Sequence, residues 1–213
     1  MSKKLEEKQQ RRLEEERKRQ QKTQAARKRN LMTLAIAAVV AALVVALIIM
    51  ERPEDISDDF GVASDEAGCT DIETFEDEGR GHVDDGAPLN YGTQPPTSGE
   101  HYATTADPGF STAPLNDGNV VHNLEHGQIV IWYDPEAPSD VLEQLETYVD
   151  DAGLPVLGVP YENVPSGYNF TLGAWGATQS CEEVSGEVAG GFRERFQGKG
   201  PENVGVPTYE AGS

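Results

Sequence analysis

Basic residues almost vanish after position 52. Of the seventeen Lys and Arg in the 213-residue chain, twelve lie in residues 1–30; beyond Arg52 only Arg80, Arg193, Arg195 and Lys199 remain. A nucleic-acid partner is therefore not expected, because phosphate binding needs a basic surface. Methionine is absent after Met50, which rules out a thioether-rich cuprous site. Cysteine is limited to Cys69 and Cys181, so two metal thiolates would have to converge with the histidines to hold an ion. The chain shows no phosphate-cradling glycine loop, no serine nucleophile elbow and no internal repeat. Charge, proline and glycine are all missing from LMTLAIAAVVAALVVALIIM, residues 31–50.

That last absence sets the organisation. About 20 apolar residues rising ~1.5 Å each match the ~30 Å hydrocarbon core of a bilayer, so 31–50 reads as a transmembrane helix. A buried core helix would need apolar partners on every face. A cleaved signal peptide has a shorter apolar run ending in small residues, and the lipoprotein route fails because Cys69 is far downstream. Arg27, Lys28 and Arg29 precede the span and Arg52 alone follows it, which places the N-terminus in the cytoplasm and the rest outside the plasma membrane.

Residues 1–30 carry twelve basic and five acidic residues, a net +7. Glu7–Arg11, Glu14–Lys18 and Glu15–Arg19 are i,i+4 pairs in the favourable order, so a solvated helical tail is expected. Leu5 and Leu13 are too few for a heptad seam. The tail reads as a topology signal that also rests on anionic lipid. Residues 51–213 hold five basic and thirty-two acidic residues, a net −27, which high salt would screen; a saline habitat fits. Within them, 51–68 is acidic and almost without large apolar residues, an extended linker. A folded domain is expected over 69–203, with a short tail at 204–213.

Thiols outside a cell tend to oxidise, so a Cys69–Cys181 disulfide is the simple expectation; two metal thiolates or free thiols are the alternatives. CTDIETF (69–75), PLNYG (88–92), GQIVIWY (127–133), LPVLGVPY (154–161) and YNFTLGAWG (168–176) read as strands. VLEQLETYVDDAG reads as a helix with Ser139 as N-cap and Gly153 as C-cap, and EVAGGFRERF (187–196) as a second, weakened by its glycines. The fold class is α+β: a mixed or antiparallel sheet with two or three helices. Trp132 and Trp175 are expected in the core.

The chemistry concentrates in VVHNLEHG. On a helix, at ~100° per residue, His122, Glu125 and His126 share one face while Val120, Val121 and Leu124 share another. On a strand His122 and His126 would stand ~13 Å apart, too far to hold one ion. A joint role therefore requires a short helix here, capped by Asn116 or Asp117 and ended by Gly127. The other histidines are His82 and His101, the latter closing the turn-rich PPTSGE. Imidazole suits Zn, Cu, Ni and Fe; His82, His101, His122, Glu125 and His126 are the candidate ligands, and Zn or Cu(II) the candidate ions. Two other readings stay open: a metal-free envelope interaction module with structural histidines, and a zinc-dependent hydrolase using H-x-x-E-H with Glu125 as general base.

The series CTDIETFEDEGRGHV, Tyr91, PPTSGEHY, VVHNLEHGQIVIWY, VLGVPY and GAWG before Cys181 resembles the prokaryotic family of domains of unknown function 3105, over roughly residues 69–203. The resemblance implies a membrane-anchored extracytoplasmic domain and transfers no activity, substrate or cofactor. His82, His101, His122, Glu125 and His126 match the histidines and glutamate of its motifs.

Overall fold

The structure, a computed structural model, describes residues 60–202 and 204–210. The expected cytoplasmic tail (1–30), transmembrane helix (31–50) and linker as far as residue 59 lie outside the described residues. Among the described residues no helix is long and apolar enough to cross a membrane.

The elements run β1 (Glu73–Thr74), β2 (His82–Val83), β3 (His101–Tyr102), β4 (Gly109–Phe110), α1 (Asp117–Glu125), β5 (Ile129–Tyr133), α2 (Ser139–Ala152), β6 (Val156–Pro160), β7 (Phe170–Ala174), β8 (Ala177–Cys181) and α3 (Gly186–Phe196). Six strands form one sheet in the order β1-β8-β7-β5-β6-β4, and β2 pairs with β3 alone. β5 runs parallel to β6 across the α2 crossover, and antiparallel to β7. The class is thus α+β with a mixed sheet and, among the described residues, three helices.

The run IVIWY makes a central strand because both of its faces are covered; all five residues are buried. Alternation divides them between two cores. Ile129, Ile131 and Tyr133 join Val141, Leu145, Tyr148 and Val149 of α2 and Phe192 of α3. Val130 and Trp132 join Val120 and Leu124 of α1 with Leu157 and Val159 of β6. Each fully buried aliphatic side chain contributes about 1.5–3 kcal/mol, so the second core is what fixes α1 against the sheet.

Several expectations shift. Residues 88–92 form no strand, and the Tyr91 hydroxyl instead donates to the Glu100 carbonyl at 3.0 Å. Of 69–75 only Glu73–Thr74 pairs with β8. β8 itself, ATQSC, carries too little apolar character to announce a strand, yet it pairs fully with β7, and the buried hydroxyls of Thr171 and Ser180 bond each other at 2.9 Å. α2 starts one residue earlier than expected, with Pro138 as N-cap and Ser139 inside the helix; Gly153 ends it at φ 66°.

Both domain edges extend further than the sequence indicated. Residues 60–68 pack onto the domain rather than continuing the linker: Val62 N–H donates to the Val184 carbonyl (2.9 Å), Gly186 N–H to that of Phe60 (2.7 Å), and Ala67 is fully buried. Past 203, Tyr209 is buried beneath the Arg193 guanidinium, 4.0 Å from its ring centre. Cys69 and Cys181 form a disulfide, which removes them as thiolate ligands.

Candidate metal centre

α1 is a nine-residue helix whose two ends are both determined by sequence. Asn116 Oδ1 accepts from Gly118 N–H at 3.0 Å, capping the first turn. At the other end Gly127 N–H donates to the Leu124 carbonyl (2.9 Å) and Gln128 N–H to that of Asn123 (3.0 Å), a Schellman closure around the His126 cap. Gly127 sits at φ 84°, which a side chain would resist. The expected short helix is therefore present, and His122 and Glu125, three apart, share its polar face.

The other two histidines arrive on β2 and β3. Their parallel register places His82 opposite His101. The loop before β3 is held inward by Gly99 N–H donating to Gly79 (3.1 Å), His101 N–H to Gly81 (3.0 Å) and Gly176 N–H to Thr97 (3.1 Å). Thr97, Ser98 and His101 are completely buried. PPTSGEHY thus aims its histidine inward, as the turn chemistry implied.

The imidazole centres of His82, His101 and His122 lie 4.7–5.0 Å apart. His82, His101, His122 and Glu125 each present one ligand atom, all within 4.8 Å of one another. A tetrahedral ion with bonds of ~2.0–2.1 Å needs its ligands ~3.3–3.4 Å apart, which side-chain adjustments under about 1 Å each would supply. Glu125 Oε2 is the meeting point, 2.9 Å from His101 Nε2 and 3.5 Å from His82 Nε2. His82 is 45% exposed at its side chain while His101 is at 0%, so the group is closed inside and open at one edge.

The protons on His101 decide what this group can do. Its Nδ1 lies 2.8 Å from the Gly99 carbonyl, which only accepts, so Nδ1 carries a hydrogen. In a neutral ring Nε2 then presents a lone pair, facing a carboxylate oxygen that also presents one. Two acceptors at 2.9 Å require either an extra proton between them or a cation bound by both. His122 fits the same donor set. Burial pushes its imidazole below the ordinary value, and His126, His101 and His82 push the same way, while the Tyr102 backbone acts in the other direction. The ring is held neutral, the form that binds metals, and its buried Nδ1 makes no hydrogen bond.

His126, expected beside Glu125, is placed elsewhere. It groups with His122 and Glu202, again with one ligand atom each within 4.8 Å. Glu202 was missed by sequence reasoning, being one carboxylate among thirty-seven acidic residues. A faint signal existed in Gly198-Lys-Gly200. Gly198 N–H donates to the Gly127 carbonyl (2.8 Å), and a Cβ on Gly200 would collide with the Glu125 carbonyl and the Gly127 amide. Glycine there lets the C-terminal segment lie against the end of α1. Asn123 was missed as well: it is 1% exposed, its Oδ1 accepts from Ala106 N–H (2.8 Å) and its Nδ2 donates to the Ala106 carbonyl (3.1 Å). Trp132 is core, but Trp175 is only half-buried and stands edge-on to the His101 ring, centres 6.1 Å apart.

The family model described as "Protein of unknown function (DUF3105)" matches residues 82–208. The chain belongs to this family. The matched stretch opens on His82 and contains all four histidines, Glu125 and Glu202, while Cys69 lies outside it. No curated protein and no solved structure matches the chain. For a DUF3105 domain, then, the donor set itself is the guide to chemistry.

Proposed function

We propose that this DUF3105 domain binds a transition-metal ion through His82, His101, His122 and Glu125. The supporting observation is the Glu125–His101 contact, where two acceptor atoms face each other with Nδ1–H already committed to Gly99. Three imidazole nitrogens and one carboxylate oxygen suit Zn²⁺ or Cu²⁺, and with no thiolate or thioether at hand they disfavour Cu⁺. In this reading the 31–50 segment anchors the chain in the plasma membrane, the basic tail rests on anionic lipid inside, and the domain holds its ion outside, for envelope metal handling or redox work. The hydrolase reading loses ground because Glu125 is engaged with His101 rather than standing free as a base.

The test is elemental analysis of the full chain in detergent after reconstitution with Zn²⁺ or Cu²⁺ and desalting. At least one ion per chain is expected, reduced in His82→Ala and Glu125→Gln. At free Zn²⁺ near 100 times Kd, unfolding should cost ~2.7 kcal/mol more than in EDTA. No retained metal, and no shift in unfolding, would instead favour the metal-free interaction module.

A further inference from the structure

We infer that the centre takes a second cation, held by His126 and Glu202 beside His122. This rests on the metal-binding reading above and adds to it the number and position of the ions. His126 Nε2 is 3.3 Å from Glu202 Oε2, and the His126 ring centre is 4.4 Å from that of His122. The three ligand atoms lie within 4.8 Å of one another, the same span as the first group.

The competing account is an ordinary ion pair that pins the C-terminal segment. Such a pair, with Glu202 50% exposed, is screened by solvent and adds little to stability. The segment is already pinned by its main chain: Gly198 N–H to the Gly127 carbonyl, and Glu202 N–H to the Glu125 carbonyl at 3.1 Å. The second of these bonds fixes the backbone of Glu202 itself beside the end of α1, from which its carboxylate reaches His126. A ligand positioned by backbone bonds, with its own oxygens uncommitted to holding the fold, is preorganised for an ion.

His122 ties the two groups together. Its ring centre is 4.8 and 5.0 Å from those of His82 and His101 and 4.4 Å from that of His126. Its side chain is 95% buried, with Nδ1 unbonded. A neutral imidazole offers one lone pair, so His122 is the residue the two groups share, and the outer ion relies chiefly on His126 and Glu202. The inner group offers four donors, three of them buried, and the outer group adds His126 and Glu202, the latter half in water. The same nitrogen–oxygen chemistry therefore selects the same class of divalent ion, Zn²⁺ or Cu²⁺, with the outer ion bound more weakly and exchanging with solvent.

The experiment is a Zn²⁺ titration of the full chain in detergent, with bound metal counted after equilibrium dialysis at each concentration and folding followed by circular dichroism. Two ions per chain are expected at saturation, bound in two phases. Glu202→Gln and His126→Gln should each remove the weaker phase alone and leave one ion on a folded chain. His82→Ala with Glu125→Gln should instead remove the tighter phase. A single ion on the unaltered chain overturns the inference while leaving the first site standing. So does retention of both ions in Glu202→Gln and His126→Gln, which would mark the pair as a structural latch. No ion at any concentration overturns both readings.

Discussion

Residues 122–126 and residues 129–133 are three positions apart in the chain and are held in opposite ways. The strand IVIWY is fixed by what it removes from water: alternate side chains fill two cores and its main chain pairs on both sides. The segment HNLEH turns one apolar side to the second core and presents everything else to polar partners, namely Asn123 to Ala106, Glu125 to His101 and His126 to Glu202. The first region leaves one buried polar atom unpaired, the Trp132 Nε1, and that atom is a donor with no lone pair to offer a cation. In the second, a buried carboxylate, an unbonded imidazole nitrogen and a lone pair face one another, and the geometry is complete only with a proton or a cation. The contrast teaches where a ligand belongs: beside the region whose polar groups are brought together but not fully paired with one another.

The largest effect should come from the apolar side. The Cys69–Cys181 bond joins residues 112 apart and packs with the core beneath α2 and α3. In the chain-entropy model a loop of that size contributes about 4–5 kcal/mol. Reduction, or Cys69→Ala with Cys181→Ala, should lower the unfolding free energy from urea titration by that order while the folded fraction keeps its metal stoichiometry. Loss of metal before unfolding in the reduced chain would erase the distinction between the two regions.

A smaller effect should come from Asn123→Ala. It leaves the buried N–H and carbonyl of Ala106 without their side-chain partner, at a cost of about 1–3 kcal/mol. Because Asn123 lies between two candidate ligands on α1, the Zn²⁺ dissociation constant should rise by about 10–100-fold, as when outer supports of a ligand are removed. Unchanged affinity in a destabilised chain would show that the site does not depend on the loop that Asn123 clamps.

The same contrast explains what could be read from residues alone. IVIWY, VLGVP and the apolar spacing of α2 are dense local signals. So are the helix limits of α1, where Asn116 and Gly127 act within a few residues of the groups they cap. The convergence of His82, His101 and His122 with Glu125 was legible only as a composition of donors plus one favourable helix face. What brought His82 to His101 was a two-residue parallel pairing, and no local pattern announces that. β8 stayed hidden because one of its faces is Thr178 and Ser180 and the face in the core holds only the small Ala177 and the disulfide Cys181. Glu202 stayed hidden because its placement depends on glycines fitting against a helix end seventy-odd residues upstream. Tertiary contact, rather than periodicity, placed all three.

The smallest effect is in pH, where the two regions should titrate at opposite ends. His122 is pushed below its ordinary value of 6.5 chiefly by burial. In metal-free protein the unfolded chain therefore takes up the proton first. Stability is fully present above about pH 6.5 and declines as pH falls from there toward the folded value. Tyr133, at the end of β5, is raised above 10.0 by burial and by Glu146, and its hydroxyl donates to the Ser111 carbonyl at 2.6 Å. Its contribution is present below pH 10 and is lost as pH rises through the folded value. Urea midpoints in EDTA from pH 5 to 11 should show both declines, with His122→Gln reducing the acid arm and Tyr133→Phe removing its own share of an alkaline arm to which Tyr91 and Tyr161, also raised by burial, contribute. Saturating Zn²⁺ should shift the acid arm downward, since the ion occupies the lone pair that the proton needs, and should leave the alkaline arm where it was. An alkaline arm that moves with Zn²⁺ would mean that the ion is felt across the sheet, and that the two regions are one cooperative site.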